Sequence, residues 1–312
     1  MSERILITPK SFKNYKEKAY ALLKDNGFAI IENTLGRTMT EQEIIDCAAS
    51  DVVGIIVGVD PMTAAVLDRC PGLRAISKYG VGMDNIDLKR AAELGIKVRN
   101  ALGTNTISVA ELAIGLCFAA ARMLPATVAK VKGGSWERVI GAELTGKKLG
   151  LIGGGQIGKE VAKRARGLEM EVAIYDPYFQ DDAFLKQYGI QRETNREELL
   201  GTADFLSLHV PATSETKGMI NRDTLKLMKK NAVLINTSRG ELVDEDALYE
   251  ALANREIAAA AQDVFSSEPP APDHPLLALD NFLLTSHIGA FTQEAVEKMV
   301  MVSTRNLLEM LR

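Results

Sequence analysis

The sequence predicts an α/β protein built from two doubly wound parallel-sheet domains. Three observations carry that prediction. Short β-like apolar runs alternate with helical patterns over the first hundred residues. A long apolar helix near residues 107–123 then breaks the rhythm. The alternation restarts at Lys148, with a glycine-rich turn after the first strand of the new block. Strands alternating with helices favour right-handed βαβ units around a parallel sheet. A chain of 312 residues also exceeds one ordinary core and suits two domains.

In the first block, Arg4–Thr8 reads as a strand, Tyr15–Asp25 as a helix stopped by Gly27, and Phe28–Glu32 as a strand. Glu41–Ala49 is helical, Val52–Val57 a buried strand and Thr63–Cys70 a helix. Leu73–Ser77 is a strand, Leu88–Leu94 a helix ended by Gly95, and Ile96–Arg99 a strand. The helix Ile107–Met123 is apolar around most of its circumference, which predicts burial on several sides. A subunit interface would require the same surface. Pro125 follows it. The strands of the second block are Leu149–Ile152, Glu171–Tyr175, Phe205–Leu208, Val233–Asn236, Ala258–Gln262 and Phe282–Thr285. A last helix, Gln293–Leu311, comes after them. Boundaries fall near 101–124 and at Ser286–Ala290. Pattern alone leaves open whether the last helix rejoins the first domain.

Composition narrows the function. Residues are 46% apolar and 25% charged, which argues against wholesale disorder. The net charge of −4 gives no global reason to bind nucleic acid or an anionic membrane. Cys47, Cys70 and Cys117 lie far apart and predict reduced thiols rather than a disulfide framework. The start Met1-Ser2-Glu3-Arg4 lacks a secretory pattern, and Val109–Ala121 contains Glu111 and is too short to span a bilayer. The expectation is a cytoplasmic protein. Three scattered histidines without ligand spacing predict no metal site.

Gly153, Gly155 and Gly158 form G-x-G-x-x-G. The motif follows the strand Leu149–Ile152 and opens an amphipathic helix, Ile157–Arg166. Asp176 ends the next strand, 23 residues after Gly153. This is the context of a dinucleotide fingerprint. Gly153 allows the tight turn, Gly155 lets the backbone approach a pyrophosphate, and Gly158 permits close helix–strand packing. Asp176 would accept bonds from a ribose 2′-hydroxyl and repel a 2′-phosphate, so NAD is expected over NADP. The ordinary alternative is a glycine-rich turn beside a surface aspartate.

Three polar residues follow predicted strands: Arg239, Glu268 and His287. Ligands bind at the carboxyl ends of strands in open α/β sheets. A histidine gives and takes a proton near neutrality. A carboxylate on its other ring nitrogen fixes the tautomer and favours the imidazolium. An arginine fork holds a planar carboxylate. Taken singly, these could be a solvated charge, a loop residue before prolines and a hydrogen-bonded histidine. His209 precedes Val210-Pro211 and is expected to shape a loop; His274 is expected in solvent, and Trp136 over an apolar surface.

The chain resembles the D-2-hydroxyacid dehydrogenase family, most closely its phosphoglycerate dehydrogenase branch. The stretches that carry the resemblance are KYGVGMDNIDLKRAAELGIKV from Lys78, SVAELAIGLCFAAAR from Ser108 and GKKLGLIGGGQIGKEVA from Gly146. They continue with SLHVPATSETKGMI from Ser207, INTSRGELVDEDAL from Ile235, AQDVFSSEP from Ala261 and SHIGA from Ser286. The resemblance implies a flavodoxin-like substrate domain, 1–100 with 288–312, a Rossmann NAD-binding domain, 101–287, and a cleft between them. It implies that Arg239 binds substrate, that His287 is the acid/base and that Glu268 is its partner. The loop Gly80-Val81-Gly82 resembles the one that holds the substrate carboxylate. Val81, Gln156, Ile157, Asp176, Val210, Thr237 and Asp263 would line the cofactor. Relatives are commonly dimers, so a homodimer is expected.

Two departures stand out. Gln156 occupies a place where the family often has Arg, which weakens a phosphate contact. The chain ends at Arg312, so the C-terminal regulatory domains of longer relatives, and serine feedback of that kind, are not expected. The predicted substrate is a 2-hydroxy or 2-oxo acid, foremost 3-phosphoglycerate and 3-phosphohydroxypyruvate. Lys10, Ser11, Lys13, Arg74 and Lys78 could hold its phosphate, the ordinary alternative being solvated lysines. Glyoxylate or hydroxypyruvate is the alternative. Formate is disfavoured, because that relative has Gln where this chain has Glu268. A different class, a corepressor-like scaffold that senses NAD, shares the fold but has no supporting insertion here.

Overall fold

The computed structural model describes residues 3–48 and 51–312. Met1, Ser2 and the expected helix end at Ala49 lie outside them. The chain divides into two compact units, Met1–Asn105 with Ala290–Arg312, and Thr106–Gly289. The divisions fall inside the ranges 101–124 and Ser286–Ala290, a few residues past the limits 100 and 287 that the resemblance implies.

The first unit contains β1 (Arg4–Ile7), α1 (Lys16–Asp25), β2 (Ala29–Glu32), α2 (Glu41–Cys47) and β3 (Val52–Val57). It continues with α3 (Ala64–Asp68), β4 (Ala75–Lys78), α4 (Leu88–Glu93) and β5 (Lys97–Asn100). Its five strands are parallel, in the order β2-β1-β3-β4-β5. The side-chain period of two sends Leu6, Ile55, Val57 and Ile76 to one face, where they meet Ile44, Leu67 and Ala91. Ile5, Ile7, Ile56 and Ala75 point the other way, onto Leu23, Met299, Val300 and Leu307. The latter three belong to the last helix of the chain, Gln293–Leu311, which therefore packs in this unit.

The second unit opens with α5 (Thr106–Ala121) and α6 (Leu124–Lys132). Then come β6 (Lys148–Ile152), α7 (Gln156–Gly167), β7 (Glu171–Tyr175), α8 (Asp182–Tyr188), β8 (Gln191–Glu193) and α9 (Arg196–Thr202). They are followed by β9 (Phe205–Leu208), α10 (Arg222–Leu227), β10 (Val233–Asn236), α11 (Glu245–Ala253), β11 (Ala259–Gln262) and β12 (Phe282–Leu284). The last helix, Gln293–Leu311, is α12. The seven strands are parallel, in the order β12-β11-β10-β9-β6-β7-β8. Leu149, Leu151, Ile174 and Ile235 pack with α5, α7 and α8 on one face. Leu206, Leu208, Leu234 and Ala260 pack with α9, α10 and α11 on the other.

Several expectations are corrected. The single helix after residue 106 is two: Met123 takes a left-handed φ of 49°, and α6 leaves α5 at an angle of 59°. Pro125 does not end a helix but lies in the first turn of α6, where no amide donor is required. No single helix among the described residues is long and apolar enough to cross a membrane. The burial of α5 on several sides holds for Val109, Ala113, Leu116, Cys117 and Ala120, but Ile107, Glu111 and Phe118 are exposed. Trp136, expected over an apolar surface, is 81% exposed. His274, expected in solvent, is largely enclosed and caps a short 3-10 turn at Pro275–Ala278.

Candidate active site

In the larger sheet the strand order reverses between β6 and β9, so the loops after these strands diverge. This is the switch point at which such sheets bind ligands. Gly153 follows β6 with φ +104°, and a Cβ there would stand 2.4 Å from the His209 carbonyl oxygen. A Cβ at Gly158 would stand 2.1 Å from the Gly153 oxygen. Both positions therefore exclude side chains, while the space beside Gly155 is open. Helix α7 begins there without a side-chain cap, so its first amides face outward as an anion site.

Asp176 follows β7. Its two oxygens accept the Gly154 amide at 2.8 Å and the Tyr178 amide at 2.9 Å. Each oxygen keeps a lone pair for a ribose hydroxyl. These features fit a dinucleotide: an uncapped helix start for the pyrophosphate, a glycine where the backbone must be approached, and a carboxylate for the ribose. Gln156 is exposed and accepts a bond from Thr106 at 3.3 Å. Ile157 and Val210 are half-buried, and Thr237 is buried with an unpartnered hydroxyl oxygen. Ser207 and the His209 Nε2 are 2.9 Å apart, and burial pushes that imidazole down to about 4.

Arg239 follows β10. The buried Asn236 shapes its loop, donating to the Arg239 carbonyl at 2.8 Å and accepting from the Ser238 amide at 3.0 Å. Gly240 is pressed against the next loop: a Cβ there would stand 2.0 Å from the Phe265 carbonyl carbon. That next loop, after β11, carries Glu268. One Glu268 oxygen accepts the Phe265 amide at 2.9 Å, and the other lies 2.8 Å from the His287 Nδ1. Burial pushes the Glu268 carboxyl up. The His287 and Phe265 hydrogen bonds and the charges of His287 and Arg239 outweigh it and hold it below its ordinary value. Arg239, Glu268 and His287 thus come together, although they lie far apart in sequence.

Asp263 has a position that the sequence did not foretell. It is buried, and its carboxylate accepts Thr285 Oγ1 at 2.5 Å and the amides of Ile288 and Gly289 at 2.8 and 2.7 Å. Its carbonyl accepts the His287 amide at 2.9 Å. The loop that holds His287 at φ +55° is therefore built around Asp263. An acidic residue after an apolar strand gave no sign of this.

Val81, Gly82 and Lys78 belong to the other unit. There Asn100 donates to the Val81 carbonyl at 2.7 Å and Ala101 to the Gly80 carbonyl at 2.8 Å, which fixes the loop after β4. Lys78 is 6% exposed, with its ammonium on the Gly58 carbonyl and on Asn85 Oδ1. Arg74 lies at the amino end of β4, paired with Glu3 at 2.8 Å, so it is at the wrong edge of the sheet to join Lys10 and Ser11 after β1.

An uncapped glycine-turn helix and an imidazole–carboxylate pair beside an arginine, on one parallel sheet, fit a dinucleotide-binding protein. Residues 114–289 match the family described as D-isomer specific 2-hydroxyacid dehydrogenase, NAD binding domain, and the chain belongs to that family. It is 43% identical over 281 residues to the D-3-phosphoglycerate dehydrogenase of Methanocaldococcus jannaschii, covering 89% of this chain and 52% of that protein. It is 42% identical over 245 residues to the hydroxypyruvate reductase of Thermotoga maritima, covering 77% and 78%. The crystal structure of the TT0316 protein from Thermus thermophilus superposes with a TM-score of 0.89 at 36% identity, covering 99% of this chain and 96% of that one. The chain spans about half the length of the phosphoglycerate dehydrogenases it matches.

Proposed function

We propose that the protein transfers hydride between NAD and a D-2-hydroxy acid or its 2-oxo acid, with 3-phosphoglycerate and 3-phosphohydroxypyruvate as the favoured pair. The observation that carries the reading is the His287–Glu268 pair beside Arg239, on the same sheet edge as the glycine turn. The bound nicotinamide supplies the hydride in reduction and accepts it in oxidation. Arg239 binds the substrate carboxylate and polarises the adjacent carbonyl. His287 donates a proton to the carbonyl oxygen from Nε2, since Nδ1 faces Glu268. In oxidation neutral His287 removes the hydroxyl proton through the same nitrogen. Glu268 fixes the ring and stabilises the imidazolium. Gly153, Gly155, Gln156, Ile157, Gly158, Asp176, Val210, Thr237 and Asp263 hold the dinucleotide.

The segment Met1–Asn105 with Ala290–Arg312 is read as the substrate domain, in which the amides of Val81 and Gly82 take the carboxylate. Lys78 supports that loop from inside, and the phosphate falls to Lys10, Ser11 and Lys13. The likeness to a hydroxypyruvate reductase favours hydroxypyruvate as the second substrate. A homodimer is part of the reading. Its support is the apolar side chains left exposed on one stretch of the larger unit: Phe118, Leu124, Val128, Val131, Trp136 and Ile140. The unpaired thiols of Cys47, Cys70 and Cys117 favour a reducing, cytoplasmic setting.

The test is NADH oxidation with phosphohydroxypyruvate, hydroxypyruvate and glyoxylate, repeated with NADPH. Turnover fastest with the phosphorylated acid and NADH is expected. Binding of NADH without turnover of any 2-oxo acid would refute the enzyme reading in favour of a scaffold.

A further inference from the structure

We propose that Glu245 is a positioning residue, whose carboxylate clamps the loop after β11 so that Glu268 meets His287. Glu245 is the first residue of α11, and its carboxylate bonds to Ser266, while Glu268 bonds to the Phe265 amide and to His287. Its Oε1 accepts the Ser266 amide at 2.8 Å, and its Oε2 accepts the Ser266 hydroxyl at 2.9 Å. One carboxylate therefore grips a single loop residue by main chain and side chain together. The side chain is 14% exposed, so water competes little for these bonds.

The grip is itself anchored. Asp244 caps α11 by accepting the Ala247 amide at 3.0 Å, which fixes the helix start that bears Glu245. His274 closes the far side, with Nε2 at 3.7 Å from Glu245 Oε2. Its Nδ1 accepts the Leu276 amide, which leaves Nε2 as the protonated nitrogen turned to the carboxylate. The His274 ring also stands edge-on to Phe265 at 4.8 Å. Phe265 and Ser266 are thus held by Glu245, by His274 and by the close approach of Gly240. From there the chain needs only two residues to reach Glu268, and the Phe265 amide binds the Glu268 carboxylate directly. A shift at Ser266 is passed to the atom that faces the catalytic imidazole.

The consequence for turnover rests on the proposed dehydrogenase activity, but the placement of Glu268 is testable without it. The chain has only three histidines, so their imidazole signals can be followed by NMR titration of the free protein and assigned with H209Q and H274Q. Glu268→Gln sets the effect of losing the partner. Glu245→Ala is expected to move the His287 titration curve in the same direction as Glu268→Gln. Ser266→Ala, which removes one of the two bonds, should give a smaller shift in the same sense and serves if Glu245→Ala folds poorly. In turnover, kcat should fall about tenfold with the NADH dissociation constant unchanged. A His287 midpoint equal to that of the wild type in Ser266→Ala and Glu245→Ala would overturn the proposal. Absence of turnover in the wild type would overturn the enzyme reading instead, and the titration would still decide the role of Glu245.

Discussion

Replacing Gly240 by alanine tests the closest approach in the candidate site. The new methyl carbon would stand 2.0 Å from the Phe265 carbonyl carbon and 2.3 Å from the Ser266 nitrogen, all of them main-chain atoms. Carbon atoms rest about 3.5 Å apart or more, so the Arg239 loop or the Phe265 loop must retreat by about 1.5 Å. Overpacking of this kind costs roughly 1–3 kcal/mol of stability, which lowers Tm by a few degrees in a domain of this size. The catalytic cost is larger, because a displacement of about 1 Å can cost roughly 10²-fold in rate. The expected result is kcat down by about two orders of magnitude, near 2.7 kcal/mol of barrier, with NADH affinity retained. Stopped-flow single turnovers and a thermal melt separate the two effects. Gly167→Ala, where a Cβ meets nothing within 4 Å, is the control and should behave as the wild type. A Gly240→Ala protein with kcat within threefold of the wild type would refute the argument that this contact sets the geometry of Arg239 and Glu268.

His287→Ala should lower kcat by roughly 10²–10⁴-fold while NADH titration by fluorescence gives an unchanged dissociation constant. Glu268→Gln removes the group that favours the imidazolium, so the alkaline limb of kcat/KM for reduction should move to lower pH; a limb that stays in place would count against the pairing. Asp176→Ser should raise the preference for NADPH over NADH by about tenfold or more, since like charges about 4 Å apart near a surface repel by roughly 1–4 kcal/mol; competition between the two cofactors measures it. His209 is neutral when folded, with its pKa pushed down to about 4, whereas the unfolded chain takes up a proton near 6.5. The unfolded state then binds more protons between these values, so stability is full above about 6.5 and falls by about 3 kcal/mol as pH drops to 4. Urea melts of H209Q against pH should lack this part of the slope.

Much of the fold was legible because its strands are short apolar runs. Val52–Val57, Glu171–Tyr175, Phe205–Leu208 and Val233–Asn236 have the bounds expected from the sequence. β8 escaped notice because Gln191-Arg192-Glu193 is polar, as an edge strand with one neighbour can be. α6 escaped because Pro125 reads equally as the stop of one helix and the first turn of the next. At the candidate site, the glycine spacing announced the turn, and position after strands singled out Arg239, Glu268 and His287. Glu245 and the loop-building role of Asp263 carried no such sign. Each acts through main-chain amides of a distant segment, and amides are the same in every sequence.

The path of the chain has a consequence for its birth on the ribosome. The strands β1 to β5 emerge first, yet one side of their sheet receives Met299, Val300 and Leu307 only when the final helix arrives. The intervening stretch, Thr106–Gly289, is continuous and can close its own core while that side is covered only by Phe12 and by Ala19 and Leu23 of α1. The unit begun before Thr106–Gly289 is thus completed only after it, when α12 joins α1 on that side.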